Sequence, residues 1–256
     1  MLTNVRRAVL ALTLFCIISP TIAQHEMRSM EAVRVNSKIK IDGELDDEAW
    51  ANAKSFEGNF VQMSPDNGAE AAYKTKVSLV YSNYAIYVAA VLYDPDPATI
   101  PQELSTRDRD EGKNVDVFGV ILDTYNKGQN GFVYSVTAAG VQGDAAISPN
   151  DFDENWDAVW KSDVKITDEG WQVEIEIPYS ALRFAKQENP IWGLNFYRLS
   201  KRLNEESSWN FVNAEIDGFL IQSGKLTGLN NVKPPLRLAF FPYVTVAGSH
   251  DGNSDT

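Results

Sequence analysis

The sequence predicts an all-β protein, folded as an antiparallel β-sandwich. Three observations carry that expectation. From Tyr73 onward, apolar and polar residues alternate with a period of two in short runs. Clusters of Gly, Asn, Asp, Ser and Pro separate the runs. Helical periodicity is nearly absent, and neither heptads nor an internal repeat interrupts a series of about ten short strands.

Before that series comes a dense stretch, Ile39–Trp50, which reads I-K-I-D-G-E-L-D-D-E-A-W. It predicts a short strand at Ile39–Ile41, a turn at Asp42-Gly43 and one helical turn. Asp46 is placed to be the N-cap, with Asp47 and Glu48 in the first turn, where the helix dipole favours negative charge. Leu45 and Trp50 would pin the turn to a core. Two readings stay open: a lid that closes one end of the domain, or a set of carboxylates that holds a ligand or metal.

Lys74–Tyr81 opens the strand series, with Thr75, Val77, Leu79 and Tyr81 on one face and Lys74, Lys76 and Ser78 on the other. Ser82-Asn83 turns the chain into Ala85–Tyr93, apolar on both faces and therefore a central strand. Asp94-Pro95-Asp96-Pro97 ends it, because proline has no N–H for the ladder. The charged loop Pro101–Lys113 leads to a strand at Asp116–Thr124. The turn cluster Asn126–Gly131 leads to another at Phe132–Ala138. Gly140–Ile147 is a weaker strand, followed by the loop Ser148–Asp157. Val159–Thr167 and Trp171–Ile177 form a hairpin across Asp168-Glu169-Gly170. Pro178–Leu182 reads as one helical turn with proline at its first position. Trp192–Ser200, Ser208–Val212 and Phe219–Leu229 supply the last strands.

The ends of the chain read differently. Arg6 and Arg7, the apolar run Ala8–Ser19 and the small residues before Gln24 predict a secretory leader, residues 1–23, with a retained membrane anchor as the alternative. Residues 24–32 are a mature N-terminal segment and 33–232 the sandwich. Lys233-Pro234-Pro235 then interrupts, and Leu236–Val246 is one more strand-like run. A lone strand is not stable by itself. Either it adds to the sandwich edge, or residues 233–256 are a linker and the first strand of a further domain, which is the favoured expectation.

Composition narrows the chemistry. Cleavage of the leader removes two arginines and no acid, taking the formal charge from −12 to −14, and it removes the one cysteine, Cys16. The two histidines, His25 and His250, flank the expected fold. A sandwich without histidine or cysteine has no Ser-His-Asp or Cys-His triad and no zinc–thiolate site. An acidic chain offers no basic face for nucleic acid. Carboxylates, amides, arginines, aromatics and a calcium ion remain as working groups.

Two loops concentrate such groups. Arg107-Asp108-Arg109-Asp110-Glu111, leading to Asp116, sets forked donors beside acceptors, as vicinal sugar hydroxyls require. It could equally be a solvated loop of self-paired charges. Asn150-Asp151-Phe152-Asp153-Glu154-Asn155-Trp156-Asp157-Ala158-Val159-Trp160 mixes aromatic faces with amides and carboxylates, so that a ring covers the C–H face of a sugar while polar groups bind its hydroxyls. Trp156 is the expected platform; Trp160, which begins a strand, suits the core. Asp151, Asp153 and Asn155 start like a calcium loop, but Trp156 stands where the turn glycine belongs and Ser162 where the bidentate acid belongs. That excludes an EF-hand and leaves an irregular calcium site. Glu174 and Glu176 share one strand face, as paired glycosidase carboxylates or as a solvated pair.

Taken in order, the landmarks resemble family 9 carbohydrate-binding modules. They are I-D-G-E-L-D-D-E-A-W, Tyr87-Val88 with Tyr93-Asp94, Arg107-Asp108, Asp116-Val117-Phe118 with Leu122-Asp123, and Gly140. Trp156 to Trp160, Gly170-Trp171 with Glu174 to Pro178, Leu182-Arg183-Phe184, and Trp192 to Phe196 with Arg198 follow. The resemblance spans Val33 to Leu229. It implies a CBM9/DOMON-like sandwich that binds oligosaccharide or polysaccharide non-catalytically, often with calcium and often beside glycoside hydrolases. On these positions it implies sugar contacts from Arg107, Asp108, Asp116, Asn155, Trp156 and Arg198. The chain also resembles Gram-negative envelope proteins in which such a module precedes a membrane-associated domain, expected to be a β-barrel of the outer membrane. That implies export to the periplasm or outer membrane. The alternatives are a docking or plug domain without a small ligand, and a glycoside hydrolase using paired carboxylates.

Overall fold

The computed structural model describes residues 26–109, 112–149 and 151–235, with Pro242 and Thr245. The leader expected at 1–23, and all but two residues of the run Leu236–Val246, lie outside the described residues.

The strands are β1 (Ser29–Glu31), β2 (Val33–Arg34), β3 (Ser55–Ser64), β4 (Glu70–Tyr81), β5 (Ala85–Tyr93), β6 (Val117–Asp123) and β7 (Gly131–Thr137). After them come β8 (Gln142–Ser148), β9 (Asp151–Asp153), β10 (Lys161–Thr167), β11 (Gly170–Pro178), β12 (Trp192–Ser200), β13 (Glu205–Ser208) and β14 (Gly224–Thr227). They join edge to edge in the order β10-β11-β5-β4-β3-β13-β12-β6-β7-β8-β9, with β14 also on β12. Neighbours along that path are antiparallel, whereas β1 on β14 and β2 on β4 are parallel.

This continuous sheet doubles over into two layers. Val77 and Leu79 of β4, Ile86, Val88 and Leu92 of β5, and Trp171, Val173 and Ile175 of β11 meet Phe118 and Val120 of β6, Tyr134 of β7 and Phe196 of β12 in one core. The layers join through β3 and β13, whose pairings are both broken by register shifts, at Asn59/Val61 and Glu206/Ser207. Such bulges bend a strand and let a sheet turn a corner. The sandwich is therefore as expected, although β3 was not. Its sequence, S-F-E-G-N-F-V-Q-M-S, carries Gly58 and Asn59 at the strand centre, and its alternation is too weak to read.

Smaller differences have local causes. Pro178 precedes a 3-10 turn, Tyr179–Ala181, instead of opening it. The expected strand Ser208–Val212 lies further upstream as β13. Phe219–Leu229 divides into a 3-10 turn, Leu220–Gln222, and β14. Leu220 covers Ile121, Val133 and Ala145 on the outer face of β6 to β8, which explains why β6 and β7 are apolar on both sides.

The opening stretch is a strap across a sheet face instead of a lid on an end. Ile39–Ile41 is not a strand, and the single helical turn, α1 (Glu48–Ala51), is capped by Asp47 instead of Asp46. The Asp47 carboxylate instead accepts from the Lys40 N–H at 2.8 Å. Ala49 is the buried residue of α1; Trp50, half-buried, packs with Val35 and Val80 on the outer face of the first layer. Gly43 has φ +77° and passes so close to β10 that a Cβ there would lie 2.8 Å from the Val164 carbonyl carbon.

Beneath the strap is Glu174, fully buried on β11. Strand alternation turns Val173 and Ile175 into the core and Glu174 outward. Its carboxylate accepts from Asp42 N (3.0 Å), Gly43 N (3.1 Å) and Trp50 Nε1 (2.9 Å). Burial raises its pKa, and the three donors oppose the rise. Glu176 on the same face is only partly covered and pairs with Lys161. The two carboxyls do not flank an open cleft, so this pair cannot do glycosidase chemistry.

Candidate functional site

The chemistry-bearing loops meet at the corner where β7, β8 and β9 end the second layer. Register pairs Ala146 with Asp153, Ile147 with Phe152 and Ser148 with Asp151. Alternation therefore sends Asp151 and Asp153 to one side of the strip and Phe152 to the other. The chain then passes through Trp156 and Trp160 into β10.

Arg107 fastens this corner. Its guanidinium donates to Gln142 Oε1 at 2.7 Å, to the Ala158 carbonyl at 3.0 Å and to Asp144 Oδ1, and it lies 3.9 Å from the Asp157 carboxylate. Asp144, buried on β8, takes the Ala158 N–H on its other oxygen. The Ala158 peptide is thus held from both sides, through its N–H and its C=O. Asp108, at φ 59°, turns its carboxylate back to accept from the Asp144 N–H at 2.8 Å. Burial pushes the Asp144 pKa up, against the pull of Ala158 N–H and Arg107.

Two depressions flank the corner. The larger, 430 Å³, is lined by Trp156 and Phe132 with Tyr125, Asn130, Ser148, Asp151, Asp153 and Arg183. The Trp156 ring is half-buried, 5.0 Å from the Phe132 centroid and edge-on to Tyr134 at 6.1 Å, so its orientation is fixed. The smaller, 100 Å³, lies on the outer face between Phe152, Tyr197, Ser135, Asp108 and Glu154. Here the Tyr197 ring lies flat over Gly119, where a Cβ would be 1.9 Å from its Cε1. Of these two, only the larger reaches the ~300–1,000 Å³ of small-molecule sites; a further depression of 360 Å³ shares its Trp156 and Arg183.

The fold brings together some of the expected residues and separates others. Arg107, Asp108 and Trp156 share the corner, although Arg107 serves mainly to hold it. Asn155 is exposed beside them, and its N–H donates to Asp153 Oδ1 at 3.0 Å. Two expectations need correction. Asp116, 1 % exposed, accepts the Lys201 N–H at 2.8 Å. Arg198, 3 % exposed, crosses the interior from β12 to donate to Lys74 O, Thr75 Oγ1 and Tyr93 O. Both groups are enclosed in the sandwich and present nothing to a surface ligand. Phe152 belongs to the expected aromatic loop and Arg183 to the landmarks, whereas Tyr125 and Tyr197 carry no sequence expectation. For Tyr197 a signal existed, an outward aromatic between inward Phe196 and Arg198, but its glycine partner is visible only with the strand pairing known.

The donor sets do not fit a resident calcium. Asp153 already turns a carboxylate oxygen to Asn155, whose amide nitrogen also faces it at 3.4 Å. Asp108, Asp144 and Asp157 bring carboxylate oxygens within 4.8 Å of one another, but Arg107 sits among them and supplies the compensating charge.

A two-layered antiparallel sandwich with an aromatic and polar depression at one corner is a β-sandwich binding module. The chain belongs to the carbohydrate family 9 binding domain-like family, whose profile matches residues 41–215. Among the solved structures that share the fold are two of a family 9 carbohydrate-binding module from Caldicellulosiruptor kristjanssonii. The one in complex with cellotriose is 16% identical, with a TM-score of 0.58 over 84% of this chain and 100% of that one. The one in complex with glucose is 17% identical, with a TM-score of 0.56 over 81% and 100%. No curated protein matches the chain.

Proposed function

We propose that this domain binds carbohydrate without acting on it chemically, and that the larger corner depression holds the sugar. The observation that carries the reading is the Trp156 ring, locked against Phe132 and Tyr134 beside Asp151, Asp153 and Arg183. A locked ring presents its apolar face to sugar C–H groups with little entropy left to lose, while carboxylates accept from hydroxyls and the guanidinium donates to them. Family membership supports the reading, as do the glucose and cellotriose complexes of proteins with this fold. Isothermal titration against neutral mono- and oligosaccharides tests it. Heat that saturates, and that Trp156→Ala reduces, is the expected result; no heat from any sugar would overturn it. A module that binds no sugar but co-purifies with a membrane-associated partner segment would instead be a docking domain.

Export to the periplasm or outer membrane, ahead of a membrane-associated domain, is part of the same proposal. It is supported by the leader-like residues 1–23 and the run Leu236–Val246. Cell fractionation and the reading frame beyond Thr256 test it; a cytosolic chain would refute export.

A further inference from the structure

We infer that a break in the sheet between β1 and β3 is a second binding site, and that it takes a small monocarboxylate with an apolar body, held by Arg28. The site shares no residue with the corner and does not depend on the carbohydrate reading.

The break follows from the strand pairing. β14 pairs with β12 and carries β1 on its other side. β3 pairs with β13 only from Val61 onward, so its first half, residues 55–59, is bonded to β4 alone. The free edges of β1 and β3 line one space of 530 Å³, larger than either corner depression and within the ~300–1,000 Å³ of small-molecule sites. Only side chains cross it: Arg28 lies over the Phe56 ring at 4.7 Å, and Lys54 pairs with Glu31. The Lys225 N–H donates to the Arg28 carbonyl and the Ala32 N–H to the Thr227 carbonyl, so alternate residues of β1 face β14. Ser29 and Glu31 between them turn their backbone N–H and C=O groups away from β14, on the side of the break.

Arg28 is the anchor. Its backbone N–H donates to Asn210 Oδ1 at 2.7 Å and its guanidinium to the Trp209 carbonyl, so both ends of the residue are fixed before any ligand arrives. The guanidinium is half-buried, yet it has no carboxylate partner among the described residues, because Glu31 is taken by Lys54. Burial lowers the Arg28 pKa and no acid opposes the fall. A partly desolvated cation without a counter-ion is costly, and a planar guanidinium edge matches the two oxygens of a carboxylate.

Charge and shape choose the ligand. Glu31 offsets Lys54, which leaves one uncompensated positive charge in the lining. The formal charge of −12 on the whole chain acts from further away and is screened beyond ~10 Å at 0.1 M salt. One carboxylate balances the local charge, whereas a phosphate monoester would bring about −1.5 to −2. Met30 and Phe56 supply apolar wall for the body of the ligand, and Ser29, Ser55 and Thr227 add hydroxyls.

Titration of the full chain with acetate, 3-phenylpropionate, 3-phenylpropanamide and phenyl phosphate, followed by calorimetry and by backbone amide shifts, tests this. 3-Phenylpropionate should bind, with shifts centred on residues 28–31 and 54–56, and acetate and the amide should bind at least roughly tenfold more weakly. Arg28→Met should weaken 3-phenylpropionate binding by roughly tenfold or more. Glu31→Gln, which frees Lys54, should strengthen it several-fold, and this gain is readable even if loss of Arg28 disturbs the fold. No binding of 3-phenylpropionate, equal affinity for acid and amide, shifts centred elsewhere, or an affinity indifferent to Glu31→Gln or to a folded Arg28→Met would overturn the site. Tighter binding of phenyl phosphate would overturn the choice of a carboxylate. Sugar binding at Trp156 stands or falls separately from all of these outcomes.

Discussion

The Trp50 indole N–H donates to Glu174 Oε1 at 2.9 Å, tying the single turn of α1 to a strand that begins more than a hundred residues later. A buried carboxylate is costly unless donors surround it. Here two backbone N–H groups and one indole do so, and all three belong to the strap. Glu174→Ala should therefore destabilise the domain by about 2–4 kcal/mol, read by urea denaturation, because it strands three donors. A midpoint unchanged from wild type would show that the strap is not held this way.

Trp50 itself is half-buried, so Trp50→Ala should cost about 2–3 kcal/mol, less than the ~3–5 of a fully enclosed aromatic. Trp50→Phe keeps most of the packing and loses the N–H, so about 1 kcal/mol is expected. A Trp50→Phe variant as stable as wild type would remove the hydrogen bond from the account, and equal losses for the two variants would remove the packing.

Acid should strengthen the fold over a limited range. Burial raises the pKa of Glu174, Glu205, Asp116 and Asp144. Between the ordinary carboxylate value and each raised value, the folded chain holds more protons than the unfolded one, so stability falls as pH rises through that window. Half-buried Asp42 and exposed Glu103 shift the other way, and their contribution is lost only at lower pH. Melting temperatures should thus rise as pH falls toward the ordinary carboxylate range, with a shallower slope in Glu174→Gln. A steady fall over the same range would contradict the burial argument.

Arg107 should behave as a positioning residue. Arg107→Lys retains charge but cannot reach Gln142, Asp144 and Ala158 together. Both Arg107→Lys and Arg107→Ala are expected to weaken oligosaccharide binding at temperatures where circular dichroism shows the fold intact. Full binding by the lysine variant would mean that charge alone suffices.

Chelation offers a separate check. With Arg107 among Asp108, Asp144 and Asp157, a chelator should leave the melting temperature where it is, and added calcium should not raise it. A rise of several degrees on adding calcium would show that a cation takes the place assigned to the guanidinium.

How far the sequence could be read follows from which interactions are local. Ala85–Tyr93 and Trp192–Ser200 were legible to the residue, because strand alternation and turn residues are written along the chain. Trp160, at the start of a strand, was legible as core for the same reason. What the chain faces after alternation was not. Glu174 follows the pattern of a solvated outer-face acid, and only the strap folding over it makes it the most enclosed carboxylate of the first layer. Arg198 and Asp116 look like ligand-binding groups in a motif, yet the doubling of the sheet encloses both. Trp156 kept its place at the corner, but its partners Tyr125, Arg183 and Tyr134 come from distant strands and turns. The sequence by itself therefore determined the all-β class, the alternation of most strands and the family resemblance. Tertiary structure decided which polar groups were enclosed and which were left at the surface, because burial depends on what packs across a strand and not on the residues beside it.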